Sequence, residues 1–286
     1  MTIEILEPHG FCAGVNAAIA KALGHRGAYC LHGLVHNEIV IGELKALGCR
    51  FVERIEEVPR GETVVFSAHG VSPRTREIAV ERGLKVVDAT CPFVAKVHRA
   101  VKAFSDRGLP VVVLGDSKHA EVRGIVGECG NVRVWNCENE KMGEWGSGKI
   151  GVVSQTTMNA DEVRRQIGAL KEKYEVEAMA EVCTATKDRQ DAVKRFDGDA
   201  VLVLGSRMSA NAKRLVEVAE ENGAKAFLAG TVDELREIDF TGIGRLGVTS
   251  GASTPERFFR EAVKFLRGVP ERVAIRRDEM KPRACQ

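Results

Sequence analysis

The sequence predicts an α/β fold made of three small domains related by a pseudo-threefold repeat. Three observations carry that expectation. Apolar, β-rich runs alternate with helical patterns along all 286 residues, as in mainly parallel sheets joined by helices. A loose repeat of about 80 to 90 residues, the size of a small α/β domain, recurs through the chain. Cys12, Cys91 and Cys183 each stand at the end of an apolar run and the start of a helical pattern, one to each repeat.

The first unit, residues 13–95, holds a polar element (LHGLVHNEIVIGEL), a strand and turn (ETVVFSAHGVSP) and a cysteine segment (LKVVDATCP). The second, residues 96–190, repeats that order with VVVLGDSKHAEVRGIVG, KIGVVSQTTMNADEV and VEAMAEVCTAT. The third, residues 191–286, begins alike with AVLVLGSRMSANAKRLVEV and RLGVTSGASTPERFF but has no cysteine segment of its own. IEILEPHGFCAGV has the shape of the missing piece, so residues 1–12 are expected to complete the third unit. On that reading the three cysteines converge near the pseudo-threefold axis.

Local signals mark helix starts. Ser72 before Pro73, and Thr254 before Pro255, read as N-cap and first helical residue. Asn159 with Glu162 three residues on resembles a capping box. Pro92 makes Cys91 a candidate N-cap. The basic tail from Arg276 onward reads as mobile.

Composition narrows the function. Hydrophobic content of 44% and charge of 29% are those of a soluble globular chain. A net charge of +2 gives no strong basic field, and 5% aromatic residues leave little for stacking bases, so nucleic acid is not expected as a partner. MTIEILEP reads as a strand, not a leader, and no run approaches the roughly 20 apolar residues of a membrane span. The expectation is a cytoplasmic protein without a membrane partner, a monomer or weak dimer.

Eight cysteines in such a chain are poorly explained by disulfides. No C-x-x-C is present, which removes the compact zinc and ferredoxin patterns. Cys30, Cys49, Cys129, Cys137 and Cys285 lie in unrelated contexts and read as incidental or buried thiols; Cys49 follows a glycine that resembles a helix C-cap. Cys12, Cys91 and Cys183, each near a helix start, would have the helix dipole favouring their thiolates. Together they suggest one soft-metal site with three protein ligands and a position left open for chemistry.

Polar residues repeat with the cysteines. The first turns carry His36 and Asn37, His119 and Glu121, and Ser209 and Asn211. The second carry Ser67 and His69, Ser154 to Thr157, and Ser250 and Ser253. In parallel α/β folds such turns lie at strand C-termini, where helix N-termini present N–H groups to anions. A mostly neutral donor shell of this kind suits a phosphate or diphosphate. Glu121 is the carboxylate among the first-turn motifs; buried beside a metal-bound substrate, it would hold a proton near neutral pH. Plain helix capping, or zinc ligation by the histidines, remains open from spacing alone.

The strings GFCAGV, VHN, SAHGVSP, DATCP, HAEVRG, SQTT and GASTP, in this order, resemble the 4-hydroxy-3-methylbut-2-enyl diphosphate reductases of the methylerythritol phosphate pathway. The resemblance spans nearly the whole chain. It implies three α/β units around a [4Fe–4S] cluster held by Cys12, Cys91 and Cys183, whose fourth iron takes the substrate's allylic hydroxyl. It implies reductive dehydroxylation to isopentenyl and dimethylallyl diphosphates, fed by a one-electron donor such as ferredoxin or flavodoxin. Glu121 would deliver protons with Thr156 and His119 in its relay, and His36, His69, His119, Thr156, Ser209, Asn211 and Ser253 would bind substrate. The chain departs from the family pattern at Ala120, Met208 and Ala210, the last replacing a frequent serine. A non-catalytic iron–sulfur sensor and a zinc-dependent hydrolase are the competing classes.

Overall fold

Short, densely apolar segments become buried strands, and the glycines and helix caps between them turn the chain. The computed structural model describes residues 1–135, 148–179 and 182–268. Cys137, Cys285 and the tail from Arg276 lie outside the described residues.

From the N-terminus come β1 (Thr2–Ile5), α1 (Ala13–Gly24), β2 (Tyr29–Leu31), α2 (Glu38–Ala46), β3 (Arg50–Val52), β4 (Thr63–Phe66), α3 (Pro73–Glu81) and β5 (Lys85–Asp88). The middle of the chain forms α4 (Pro92–Asp106), β6 (Val111–Leu114), α5 (Ala120–Val126), β7 (Val132–Trp135), β8 (Lys149–Ser154), α6 (Ala160–Lys171) and β9 (Glu175–Met179). There follow α7 (Thr184–Arg195), β10 (Ala200–Leu204), α8 (Ala210–Glu221), β11 (Lys225–Ala229), α9 (Val232–Arg236), β12 (Arg245–Ser250) and α10 (Glu256–Gly268).

The strands make three four-stranded sheets, ordered β3-β2-β4-β5, β7-β6-β8-β9 and β11-β10-β12-β1. Every pairing is parallel. One topology thus occurs three times. In the third copy the fourth strand comes from the N-terminus, with Ile3 beside Leu246 and Ile5 beside Val248. The chain divides into two compact units: residues 12–187 hold the first two sheets, and residues 1–11 with 188–286 hold the third.

Central strands carry the unbroken apolar runs expected of parallel sheets covered on both faces: VVVL in β6 and AVLVL in β10 are buried throughout. The amphipathic helix α4 lays Val97, Val101 and Phe104 onto Val111, Val113 and Val153. Gly151 lets the Phe104 ring approach β8, since a Cβ there would lie 2.5 Å from the ring.

Capping follows the sequence at most places. Ser72 caps α3 by accepting from the Thr75 N–H, and Asn159 caps α6 through the N–H groups of Asp161 and Glu162. After α2, Gly48 takes φ +95° and donates to Lys45 while Cys49 donates to Leu44, the paired bonds of a Schellman end. Thr254 is a correction. Its hydroxyl donates to the Leu204 carbonyl at 2.9 Å, and α10 starts at Glu256. A buried carbonyl at the end of β10 claims the hydroxyl that spacing assigns to a cap.

Candidate active site

Within residues 12–187, strand C-termini deliver the polar turns as the sequence expects. His36 follows β2 and stands just before Asn37, whose side chain caps α2 through the N–H groups of Ile39 and Val40. His69 follows β4 and shares a 3.3 Å hydrogen bond with buried Ser67. His119 follows β6 and caps α5. The three imidazoles meet: His36 and His69 have ring centroids 4.2 Å apart, His36 and His119 4.9 Å, His69 and His119 5.6 Å.

Their charge state follows from that crowding. Burial, helped by the Arg123 guanidinium, lowers the His36 pKa against the pull of Glu38. Burial and then His36, His119 and His32 hold His69 well below the ordinary histidine value. His119 falls to about 4, chiefly by burial, with His36 and Arg123 adding to it and Asp116 opposing. All three are neutral at pH 7. His119 Nδ1 accepts from the Glu121 N–H at 3.2 Å, so its neutral tautomer carries the proton on Nε2 as a donor.

Glu121, on the first turn of α5, is 2% exposed. The Thr156 N–H donates to its Oε1 at 2.7 Å and the Thr156 hydroxyl to its Oε2 at 3.0 Å. Burial pushes its pKa up to about 7, while the two Thr156 bonds pull the other way. At neutral pH it therefore exchanges a proton readily. Beside it Gln155 accepts from the Asp116 N–H and donates to Thr157, fixing the turn after β8.

The cysteines occupy helix starts. Cys12 is the N-cap of α1, its Sγ accepting from the Val15 N–H at 3.4 Å; Cys91 is the N-cap of α4. Cys183 directly precedes α7, and its Sγ lies 3.2 Å from the Thr186 hydroxyl. Backbone bonds tie two of them to the polar turns: the Cys91 N–H donates to Ala68 and the Cys183 N–H to Thr156. A Cβ on Gly14 would lie 2.7 Å from the Cys91 Sγ, too close for any real contact, so only glycine leaves that thiol its room; the Cys12 Sγ lies 3.9 Å from the same point.

One expectation changes. Burial raises the pKa of Cys91 and Cys183, outweighing the helix-start N–H groups of Phe93 and Val94 at Cys91 and the Thr186 contacts at Cys183. At these two thiols desolvation outweighs the helix dipole. Cys91 and Cys183 also feel the charge of Cys12, and Cys183 that of Cys91. Among the described residues no three His, Cys, Asp or Glu side chains are drawn together as ligands of a single metal ion.

In the unit of residues 1–11 and 188–286, the turns after β10 and β12 carry hydroxyls and an amide. Ser209 caps α8 through the Ala212 N–H, and Ser250 accepts from the Gly10 N–H at 2.7 Å. Ser253 is 7% exposed. Asn211 is 4% exposed, and among the described residues neither atom of its amide has a hydrogen-bond partner. Buried amides are rarely left so, and a ligand oxygen is a natural acceptor. Ala210 opens α8 with no polar side chain, and Met208 is half exposed. Spacing did not single out Gly14; its signal is the small residue two places after Cys12.

The family of LytB proteins matches residues 3–267. A 4-hydroxy-3-methylbut-2-enyl diphosphate reductase of Tolumonas auensis is 42% identical over 282 residues, covering 93% of this chain and 91% of that protein. One from Acidithiobacillus ferrooxidans is 40% identical, covering 96% and 91%. The solved structure of the E-1-hydroxy-2-methyl-but-2-enyl-4-diphosphate reductase from Plasmodium falciparum is similar with a TM-score of 0.85 and 30% identity, covering 99% of this chain and 95% of that one. Among the described residues no helix is long and apolar enough to cross a membrane.

Proposed function

We propose, from the premise that this chain belongs to the LytB protein family, that it reduces 4-hydroxy-3-methylbut-2-enyl diphosphate to isopentenyl and dimethylallyl diphosphates. Two electrons and two protons enter, the allylic C–O bond breaks and water leaves. The observation that carries the reading is the buried Glu121 carboxyl, poised near neutrality and tied through Thr156 to the Cys183 segment.

On this reading Cys12, Cys91 and Cys183 hold a [4Fe–4S] cluster. The donor set fits: three thiols at helix starts, with Gly14 leaving room for the Cys91 sulfur. When bound, such a cluster supplies electrons one at a time and an iron free of protein ligands as a Lewis acid for the substrate's hydroxyl.

The chain's own residues do the rest. Glu121 gives a proton to the departing oxygen, and Thr156 holds the carboxylate it leaves behind with two hydrogen bonds. His119 presents its Nε2–H as a donor. His36 and His69 recognise diphosphate oxygens, and Ser209, Asn211 and Ser253 are further substrate-binding residues, a role supported by the Asn211 amide, which has no partner among the described residues. A ferredoxin or flavodoxin supplies the electrons.

Anaerobic turnover with a reduced one-electron donor tests the reading. The expected protein carries about four irons per chain and converts the hydroxylated diphosphate to both products. A fully loaded protein that binds the diphosphate without turnover would instead be a sensor, and a colourless, iron-free active protein a hydrolase; either result ends this reading.

A further inference from the structure

His98 does not repeat with the other histidines, yet it stands where three site segments meet. It lies on α4, the helix that Cys91 caps, two turns from that cysteine. Its Nδ1 is 2.6 Å from Glu128 Oε1, and both side chains are nearly buried, at 11% and 12% exposure. Glu128 follows the end of α5, the helix that starts with His119 and Glu121, and its N–H donates to Ile125.

Two glycines make room for the ring. Gly70, next to His69, has φ +74°, and a Cβ there would fall 2.7 Å from His98 Nε2. A Cβ on Gly124 of α5 would lie 3.4 Å from His98 Cε1 and 3.5 Å from the backbone of Gly70. Gly127 continues the contact, since a Cβ there would meet Ser72 at 2.4 Å. The imidazole fills the junction between the His69 turn and α5. The carboxylate of Glu128 fixes which edge faces which backbone. His98 Nε2 has no hydrogen-bond partner among the described residues, so packing rather than a second bond locates that edge.

We propose that His98, oriented by Glu128, is a positioning residue that sets the spacing between the His69 turn and helix α5, and so the mutual placement of His69, His119 and Glu121. Its catalytic consequence rests on the reductase reading; its structural consequence does not. A long Nδ1–Oε1 separation would let the ring rotate, and the two glycine backbones would no longer be held apart at one distance. Misplacement of reacting groups by about 1 Å costs on the order of a hundredfold in rate.

The test compares Glu128→Ala, Glu128→Gln and His98→Ala in the iron-loaded protein. Glu128→Ala should keep its iron content and lower kcat/KM by roughly ten- to a hundredfold, while Glu128→Gln, which retains an acceptor oxygen, restores most of the loss. His98→Ala should lose as much, and added imidazole should recover part of it. Independently of turnover, the ring resonances of His36, His69 and His119 in histidine-labelled protein should shift in Glu128→Ala and return in Glu128→Gln. Wild-type kcat, KM and ring resonances in Glu128→Ala would overturn the proposal. So would equal losses in the Ala and Gln variants that track iron content. If the wild-type protein turned over no substrate but the resonances still moved, the reductase reading would fail and the positioning role would stand.

Discussion

The sheet β3-β2-β4-β5 and the sheet β11-β10-β12-β1 share one strand order and place polar turns after the same two strands, but they fill those turns differently. After β2 and β4 come His36 and His69, imidazoles whose charge depends on their surroundings. After β10 and β12 come Ser209, Asn211, Ser250 and Ser253, which do not titrate in the physiological range. Topology fixes where donors stand at strand ends. Residue type fixes whether binding at those donors moves protons.

The largest expected effect tests the cysteine that caps α4, after the last strand of the first sheet. Cys91→Ser should lose its iron and with it all turnover, as read by metal analysis and visible absorption; an intact, active variant would remove Cys91 from the ligand set. Next comes the proton donor. Glu121→Gln should keep iron and diphosphate affinity yet lose about 10²–10⁴-fold in kcat.

The same variant has a stability signature. The folded-state pKa of Glu121 is raised from 4.5 to about 7. Between those values the unfolded chain has lost the proton and the folded chain still holds it, so ionisation weighs against folding as pH rises. Above pH 7 that penalty is complete, on the order of 3 kcal/mol. Denaturant titration should therefore find Glu121→Gln more stable than the parent at pH 8, with the difference vanishing near pH 4.

The contrast between imidazole and amide turns is sharpest in the pH dependence of diphosphate binding. In the free protein His36, His69 and His119 are neutral, because burial and one another lower their pKa values; Arg123 adds to this at His36 and His119, with Glu38 and Asp116 opposing and His32 facing His69. A bound anion favours the protonated ring, so binding takes up protons and weakens as pH rises. His69→Asn should flatten that slope in calorimetry. Asn211→Ala should leave the slope alone and weaken binding at every pH by roughly 10- to 100-fold, the worth of one hydrogen bond to a charged group. An identical pH profile in both variants would erase the distinction.

The smallest effects concern scaffold rather than site. Gly151 in β8 and Gly247 in β12 occupy equivalent places, and each admits an aromatic ring. A Cβ would meet Phe104 at 2.5 Å in the first and Phe196 at 3.0 Å in the second. Alanine at either should cost about 1–3 kcal/mol of stability by overpacking, with kcat unchanged.

Much of this architecture was legible because it rests on local chemistry. Apolar runs gave the strands, Ser72, Cys91 and Asn159 gave helix starts, and the apolar start of the chain gave β1, which pairs with β12. Where long-range partners compete, local reading failed: the Leu204 carbonyl takes the Thr254 hydroxyl, and burial overrides the helix dipole at Cys91 and Cys183. His98 was invisible to spacing because its partners, Gly70, Gly124 and Glu128, lie on other elements.

The sequence by itself determined the class of fold, the order of its parts and the identity of the chemical groups, since each depends on neighbours a few residues away. Tertiary structure alone decided that three histidines share one contact, that Glu121 is bound by Thr156, and that Gly14 backs onto two thiols. Those facts depend on desolvation and on distances across elements. They set the charge of the three histidines and of Glu121.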